Sequence, residues 1–295
     1  MTSLRARRSS VAAVLLLIGI AFAAACAEAT TYSITSIPTR PGITVPLMIT
    51  DKSADTPAPV GTLILFTGGN GQLNLLTNWP PNSDQSGLMT HDTGPTSNFL
   101  VCQRNNFAAA GFNVILVDVP SDETGGYPAN PSFRRTTKHQ KDIAAVIAYA
   151  RATFSVPVWL IGTSRGSTSA AKGALIATQQ PALSAPDGFV LTSTVTDSSD
   201  PDNVLDMPLK DIALVAMMVA NEQDACSITP PIGVNKIARN LLSSPDFRGK
   251  FVTNDTDPVD PTDTCDATGY HGFSNVEGKV VSPVTAWIIG HLPTP

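Results

Sequence analysis

The sequence predicts an α/β protein in which helices cover both faces of a mostly parallel central sheet. Apolar segments of strand length alternate with segments of helical periodicity from residue 61 to residue 289. Two of the strand segments, 61–66 and 158–161, are almost continuously apolar, as strands buried on both faces of a parallel sheet are. The chain has 295 residues, of which 42% are hydrophobic, so it is long enough to bury one large core.

The first 27 residues are predicted to lie outside the fold. Three arginines within the first eight residues precede an apolar run, 11–25, that is too short for a stable membrane span and resembles a bacterial-type secretion signal. We therefore expect an exported protein, periplasmic or secreted. Residues 25–27 (Ala-Cys-Ala) fit ordinary signal peptidase, whereas 23–26 resembles a lipoprotein box, in which a lipidated Cys26 would attach the protein to a membrane. Both cleavage sites remain open.

Six elements are predicted between the signal and residue 155. They are strands at 31–37, 43–50, 61–66 and 114–119 and helices at 98–110 and 137–154. The turn pair Pro41-Gly42 separates the first two strands and predicts an antiparallel hairpin at the sheet edge. Gly111 is placed to end the first helix.

The stretch 156–177 predicts a strand, a sharp turn and a helix. Its apolar strand runs into Gly-Thr-Ser-Arg-Gly at 162–166, and small residues follow. In this G-x-S-x-G pattern Ser164 occupies a strained backbone position at the top of the turn, with its hydroxyl clear of the sheet. Glycines flank it because a Cβ would clash there. The pattern predicts a nucleophilic serine on a sharp strand-to-helix turn, a nucleophile elbow at residues 162–166.

The remaining elements continue the alternation. Strands are predicted at 188–195, 212–220 and 250–253 and helices at 234–242 and 276–289. Such alternation places a ligand site at the carboxyl ends of the strands. A net charge of -5 and the lack of a basic run argue against a nucleic-acid partner. Because the sequence shows no metal-ligand spacing and no nucleotide fingerprint, we expect neither a metal nor a cofactor.

With its elbow between strands, the chain resembles the α/β-hydrolase family over roughly residues 31–293, which implies a single catalytic domain with the α/β-hydrolase fold. In that family the nucleophile follows the fifth strand, the acid follows the seventh, and a histidine follows the eighth. The resemblance implies Ser164 as nucleophile and Asp224 as acid, with Glu222 and Asp197 as alternatives. His271, flanked by glycines after the last strand, matches the position of the base.

The other three histidines are expected to be solvated or to cap helices, and one of them, in a polar loop, could touch substrate. They are His91, the loop residue, and His139 and His291. The oxyanion hole is expected from the backbone N–H groups of Arg165 and Gly69. Gly69 lies in Thr-Gly-Gly-Asn-Gly, 67–71, where Thr67 stands at a position that is commonly His in the family. Because of this departure, the donor could also be the residue one position away from Gly69.

Three cysteines remain in the exported chain after Cys26, so three single disulfides are possible. Cys226 lies two residues after Asp224, and Cys265 lies six before His271. If the resemblance brings that acid and that histidine together, their loops are neighbours. It therefore implies a Cys226–Cys265 disulfide, with Cys102 buried as a small apolar residue.

The activity that the resemblance implies is hydrolysis of small-molecule carboxylic esters through an acyl-enzyme. Alternatives are a peptidase or acyltransferase on the same triad, or a non-catalytic exported binding protein on the same scaffold. Only about 15 residues separate the strands ending near 195 and starting near 212, so no large lid is expected. The loops 72–97 and 121–133 are expected to form the pocket walls, notably with Trp79, Leu88, His91, Tyr127 and Phe133.

Overall fold

The computed structural model describes residues 32–51, 58–78, 98–125, 133–258 and 263–293. The predicted secretion signal lies outside these ranges. The strands are β1 Tyr32–Arg40, β2 Ile43–Thr50, β3 Gly61–Phe66, β4 Phe112–Val117, β5 Val158–Thr163, β6 Gly188–Thr192, β7 Val215–Asn221 and β8 Phe247–Val252. The helices are α1 Leu75–Asn78, α2 Phe99–Ala109, α3 Thr137–Phe154, α4 Gly166–Ala174, α5 Ile176–Gln179, α6 Gly233–Asn240 and α7 Glu277–Gly290. Within the described ranges, no helix combines the length and the apolar character needed to cross a bilayer.

The eight strands form one sheet in the order β1-β2-β4-β3-β5-β6-β7-β8. β1 and β2 form the predicted antiparallel hairpin at one edge, and β2 also runs antiparallel to β4. The other neighbours, from β4 to β8, pair in parallel. The prediction of a mostly parallel sheet is confirmed, and the carboxyl ends of its parallel strands lie along a single edge.

Helices cover both faces of the sheet, and each face has its own apolar core. One core joins the strands to α3, α4, α5 and α6, and it contains Ile64, Leu160 and Phe189. The other joins the strands to α2 and α7, and it contains Leu63 and Trp159. Because successive side chains of a strand point to opposite faces, β3 and β5 each contain four consecutive buried apolar residues, 63–66 and 158–161. Two-sided burial explains why these strands could be predicted from continuous apolar runs.

Most predicted elements are present, and the differences lie at their ends. The predicted strand 188–195 ends at Thr192, because Ser193 has a positive φ of 41° that an extended strand cannot accommodate. The predicted strand 212–220 begins only at Val215, because Ile212 closes a 3₁₀ turn by donating its N–H to the Leu209 carbonyl. The edge strand β8 begins three residues earlier than predicted, at Phe247.

The connection between β6 and β7 contains two short 3₁₀ turns, Val204–Asp206 and Leu209–Asp211. All of its residues are described, and it holds no lid of packed helices, as the sequence predicted. The two long loops expected to form the pocket walls lie partly outside the described residues, 79–97 in one and 126–132 in the other. Trp79, Leu88, His91 and Tyr127 fall within those ranges, whereas Phe133 is described and buried.

Candidate active site

Ser164 lies at the sharp turn between β5 and α4, at the carboxyl edge of the sheet. Its φ of 51° lies in the left-handed region that non-glycine residues seldom adopt. Its N–H donates to the Thr192 carbonyl at 3.0 Å, and its carbonyl accepts from the N–H of Ser167 at 2.9 Å. The hydroxyl of Ser167 donates to the same carbonyl at 2.6 Å. These bonds hold the strained conformation that the G-x-S-x-G pattern predicted.

The glycines around the elbow are required by close backbone approaches. A Cβ on Gly162 would collide with the carbonyl of Gly166, and a Cβ on Gly166 would collide with the carbonyl of Phe66. A Cβ on Gly68 would lie 2.9 Å from the Cβ of Ser164. The elbow therefore packs directly against the end of β3 and the glycine-rich loop that follows it, with no space for larger residues.

His271 and Asp224 are in contact, as the sequence predicted. The Nδ1 atom of His271 lies 3.1 Å from Oδ2 of Asp224, and both side chains are buried. Asp224 lies just after β7, and His271 lies in a 3₁₀ turn, Tyr270–Gly272, after β8. The other carboxylate oxygen, Oδ1, accepts the N–H of Cys226 at 2.9 Å. An ionised Asp224 would accept a hydrogen bond from Nδ1–H and leave Nε2 of the imidazole as the acceptor.

The end of β6 connects the elbow to the histidine loop. Thr192 accepts the N–H of Ser164, and the next residue, Ser193, donates its hydroxyl to the carbonyl of His271 at 2.7 Å. The N–H of Ser193 also donates to Val219 in β7 at 3.1 Å. Ser193, which was not predicted as a site residue, thus links three neighbouring segments of the site. Unlike Ser164, Ser193 lies in no motif from which its positive φ could be predicted.

The two alternative acids lie elsewhere. Asp197 accepts hydrogen bonds from the N–H and hydroxyl of Ser199, at 3.0 and 2.9 Å. Glu222 is exposed. Of the three carboxylates considered from the sequence, Asp224 is the one in contact with His271.

Solved structures resemble this chain over most of its length. A soluble variant of monoglyceride lipase from Saccharomyces cerevisiae matches with a TM-score of 0.58 at 12% identity, covering 90% of this chain and 97% of that one. A serine hydrolase without a lid from Xanthomonas campestris matches with a TM-score of 0.53 at 13% identity, covering 90% and 98%. The chain has the α/β-hydrolase fold.

A third relative of this fold is brefeldin A esterase, a bacterial homologue of human hormone-sensitive lipase. It matches with a TM-score of 0.58 at 14% identity, covering 96% of this chain and 80% of that one. No model of a known protein family matches the sequence, and no curated protein matches it. At these identities the likeness establishes the fold, and the chemistry has to be argued from the site itself.

Thr229 lies beside both members of the acid–histidine pair. Its hydroxyl donates to Oδ2 of Asp224 at 3.0 Å and lies 3.0 Å from Nδ1 of His271. Because the Thr229 hydroxyl directs its own proton to the carboxylate, its oxygen can accept a hydrogen bond from the Nδ1–H of His271, which this N–H shares with Asp224. Thr229 was not predicted from the sequence, where it is one polar residue in a loop, five positions after the acid.

Within this α/β-hydrolase fold, the predicted Cys226–Cys265 disulfide is present and links the acid loop to the segment before His271. Cys102 is outside the disulfide and is half-buried, not buried as predicted. The side chains of Asp224, Cys226 and His271 bring three possible metal-ligand atoms within 4.8 Å of one another. Because the Cys226 sulfur is bonded to Cys265, it is not a thiolate, and the remaining two groups do not make a metal site.

The glycine-rich loop 67–71, which the sequence predicted to contribute the Gly69 N–H to an oxyanion hole, lies against the elbow through Gly68. Gly69 itself has a φ of 58°, which favours glycine. Arg165, the other predicted donor residue, directly follows Ser164 in the elbow. Its guanidinium forms ion pairs with Asp200 at 2.7 Å and Asp202 at 3.0 Å. The glycine-rich loop thus lies beside Ser164, and Arg165 follows Ser164 in the chain.

His139 corrects an expectation, because it is buried and not solvated. Its Nε2 atom lies 2.9 Å from the hydroxyl of Ser169 in α4, and its ring packs against Phe66 and Phe133. Burial, together with nearby cationic side chains such as Arg134, lowers the pKa of His139 to about 3, so its imidazole is neutral. His291 does cap a helix, α7, by donating Nδ1–H to the Trp287 carbonyl at 2.8 Å.

Proposed function

We propose that the protein is a serine hydrolase that cleaves carboxylic esters through a covalent acyl-enzyme. The observation that carries this proposal is the contact between buried Asp224 and His271, at the same sheet edge as the strained Ser164. A serine hydroxyl is a weak nucleophile at neutral pH and needs a neutral imidazole to accept its proton. The Asp224 contact selects the imidazole tautomer that can do so.

In the proposed acylation, the Ser164 oxygen attacks the ester carbonyl carbon while His271 takes the hydroxyl proton. The carbonyl oxygen becomes an oxyanion, for which we propose the backbone N–H groups of Gly69 and Arg165 as donors. The tetrahedral intermediate then expels the alcohol, and the imidazolium of His271 protonates this leaving group. In the second half, His271 takes a proton from water, the resulting hydroxide attacks the acyl carbon, and the proton returns to Ser164 as the acid is released.

The choice of esters as substrates is supported by the solved structures of similar fold, which include a monoglyceride lipase and a brefeldin A esterase. The absence of packed lid helices between β6 and β7 leaves the site to be bounded by loops. We also propose that the protein acts outside the cytoplasm, as the predicted signal at residues 1–27 implies. The Cys226–Cys265 disulfide fits an oxidising compartment.

The nucleophile is tested with a fluorophosphonate probe and nitrophenyl esters of short and long chain. Ser164→Ala should abolish labelling and lower kcat by roughly 10⁶-fold while leaving the fold intact. Ser199→Ala is the matched control, because Ser199 is an exposed serine whose hydroxyl contacts Asp197. Full activity in a clean Ser164→Ala preparation would refute the proposal, and faster turnover of anilides than of esters would favour a peptidase.

Export is tested by expressing the full chain in a bacterial host and determining the N-terminus of the recovered protein. A mature chain that begins after residue 27 supports ordinary signal cleavage. A membrane-bound chain with a diacylglycerol-modified Cys26 at its N-terminus supports the lipoprotein alternative. An uncleaved chain that stays in the cytoplasm contradicts both.

A further inference from the structure

The buried side chain of Arg134 donates hydrogen bonds to the backbone of the glycine-rich loop 67–71. The Nη2 atom of Arg134 donates to the carbonyls of Thr67 and Gly69, at 3.2 and 3.4 Å. These two carbonyls lie on either side of Gly68, the residue packed against the Cβ of Ser164. Arg134 therefore bonds to the loop on both sides of its contact with the elbow.

Arg134 is itself connected to the helix that follows the elbow. Its Nη1 atom donates to the hydroxyl of Ser169 in α4 at 2.7 Å, and that hydroxyl lies 2.9 Å from Nε2 of His139. Gly71 makes space for the guanidinium, because a Cβ at this position would lie 2.5 Å from Nη2 of Arg134. One planar guanidinium thus connects the glycine-rich loop to the elbow helix, a role to which the rigid fork of arginine donors is suited.

We propose that Arg134 is a positioning residue for the oxyanion hole. By fixing the carbonyls on both sides of Gly68, Arg134 sets the distance between the loop N–H groups and the oxyanion formed at Ser164. In this proposal Arg134 acts through the loop and does not touch the reacting atoms. This inference rests on the proposed serine-hydrolase function and adds to it a specific requirement for preorganised donors.

The test compares Arg134→Gln with Arg135→Gln. Arg135 is the next residue, and its guanidinium forms an exposed ion pair with Asp206. We expect Arg134→Gln to lower kcat by about 10²-fold with KM changed by less than about threefold, because the donors act on the transition state and not on bound ester. Arg135→Gln should stay within about twofold of the wild type in both constants.

Arg134→Lys retains the positive charge but cannot bond to both carbonyls and Ser169 with one planar group, so it should lose kcat in the same way. It also provides a folded variant should Arg134→Gln not fold. A boronic acid that mimics the tetrahedral intermediate should lose affinity in parallel with kcat.

Three results decide between the possibilities. Wild-type labelling of Ser164 together with an Arg134→Lys variant whose kcat equals that of Arg135→Gln would overturn this inference alone. A fall in kcat/KM that comes entirely from a higher KM would overturn it as well, because it would indicate a substrate-binding role. Failure of the probe to label wild-type Ser164 would overturn the proposed function, and this inference with it.

Discussion

The elbow and the acid–histidine pair lie at the same edge of the sheet, but different kinds of interaction hold them. The elbow is built from consecutive residues, 162–168, whose backbone approaches exclude a Cβ at two glycines. Asp224 and His271 are 47 positions apart, and side-chain bonds from Thr229 and one disulfide join their loops. The elbow is local and steric, whereas the pair is assembled from distant segments.

This difference means that the two regions should respond differently to mutation. The strand that leads into the elbow, β5, contributes side chains to the cores on both faces of the sheet, so the conformation of the elbow depends on the folding of the whole domain. The pair depends on a few identifiable bonds in loops, any of which can be removed while the cores remain. Activity should therefore be separable from stability at the pair more readily than at the elbow.

Among changes at the acid–histidine pair, the largest effect is expected from Asp224→Asn. The amide would donate to Nδ1 of His271 and hold the imidazole in the tautomer that cannot accept the Ser164 proton, which should cost roughly 10⁴ in kcat. The measurement is the kcat of the variant in ester hydrolysis, with thermal unfolding as a check on the fold. Asp197→Asn and Glu222→Gln are the matched controls and should cost far less. If Asp197→Asn were the most damaging, the acid would lie after β6 instead.

Removal of the disulfide should come next. The bond joins residues 39 positions apart, for which the chain-entropy model gives about 4 kcal/mol of stabilisation. The Cys226→Ser/Cys265→Ser double variant should unfold at lower urea concentration, and its kcat should fall before the core unfolds, because the acid loop is no longer fixed to the histidine loop. Cys102→Ser, outside the disulfide, is the control. Loss of kcat only in parallel with unfolding would mean that the bond does not position the pair.

A smaller effect is expected at Thr229. Thr229→Val removes a hydroxyl that bonds to the Asp224 carboxylate without changing the side-chain shape, and loss of one bond to a charged group should lower kcat by about tenfold. KM should change little. Thr229→Ser, which restores the hydroxyl, should recover most of the activity. Equal losses in the two variants would indicate that packing of the methyl group, and not the hydrogen bond, is what matters.

The last effect belongs to the elbow side and concerns the dependence of stability on pH. The pKa of His139 is about 3 in the folded protein, against about 6.5 when unfolded, so unfolding between these values takes up a proton. The wild type should therefore lose stability as pH falls from about 6.5 towards 3, by at most about 1.4 kcal/mol per pH unit. His139→Gln removes this contribution. Urea unfolding at pH 7.5 and 4.5 tests it: a constant difference between the two proteins would contradict the buried, neutral histidine.

The sequence could predict the elements whose signal is local. The runs that became β3 and β5 are apolar because both faces of the sheet are covered, and the G-x-S-x-G pattern is a requirement of backbone sterics at one turn. The order of Ser164, Asp224 and His271 along the chain, read through a family resemblance, was sufficient to predict the acid–histidine contact and the disulfide beside it.

Other features depend on groups that meet only in the folded chain. Thr229, Ser193 and Arg134 are ordinary loop residues in the sequence, and each acquires its place through a hydrogen bond to a group far away in the chain. His139 lies near the start of a predicted helix, where a solvated side chain was expected. In the structure Phe133 and α4 pack around its imidazole, which is therefore buried and neutral. The strain at the elbow and the apolar periodicity depend on neighbouring residues, so both could be predicted from the sequence. The burial of polar groups depends on which distant surfaces pack together, and only the tertiary structure decides that.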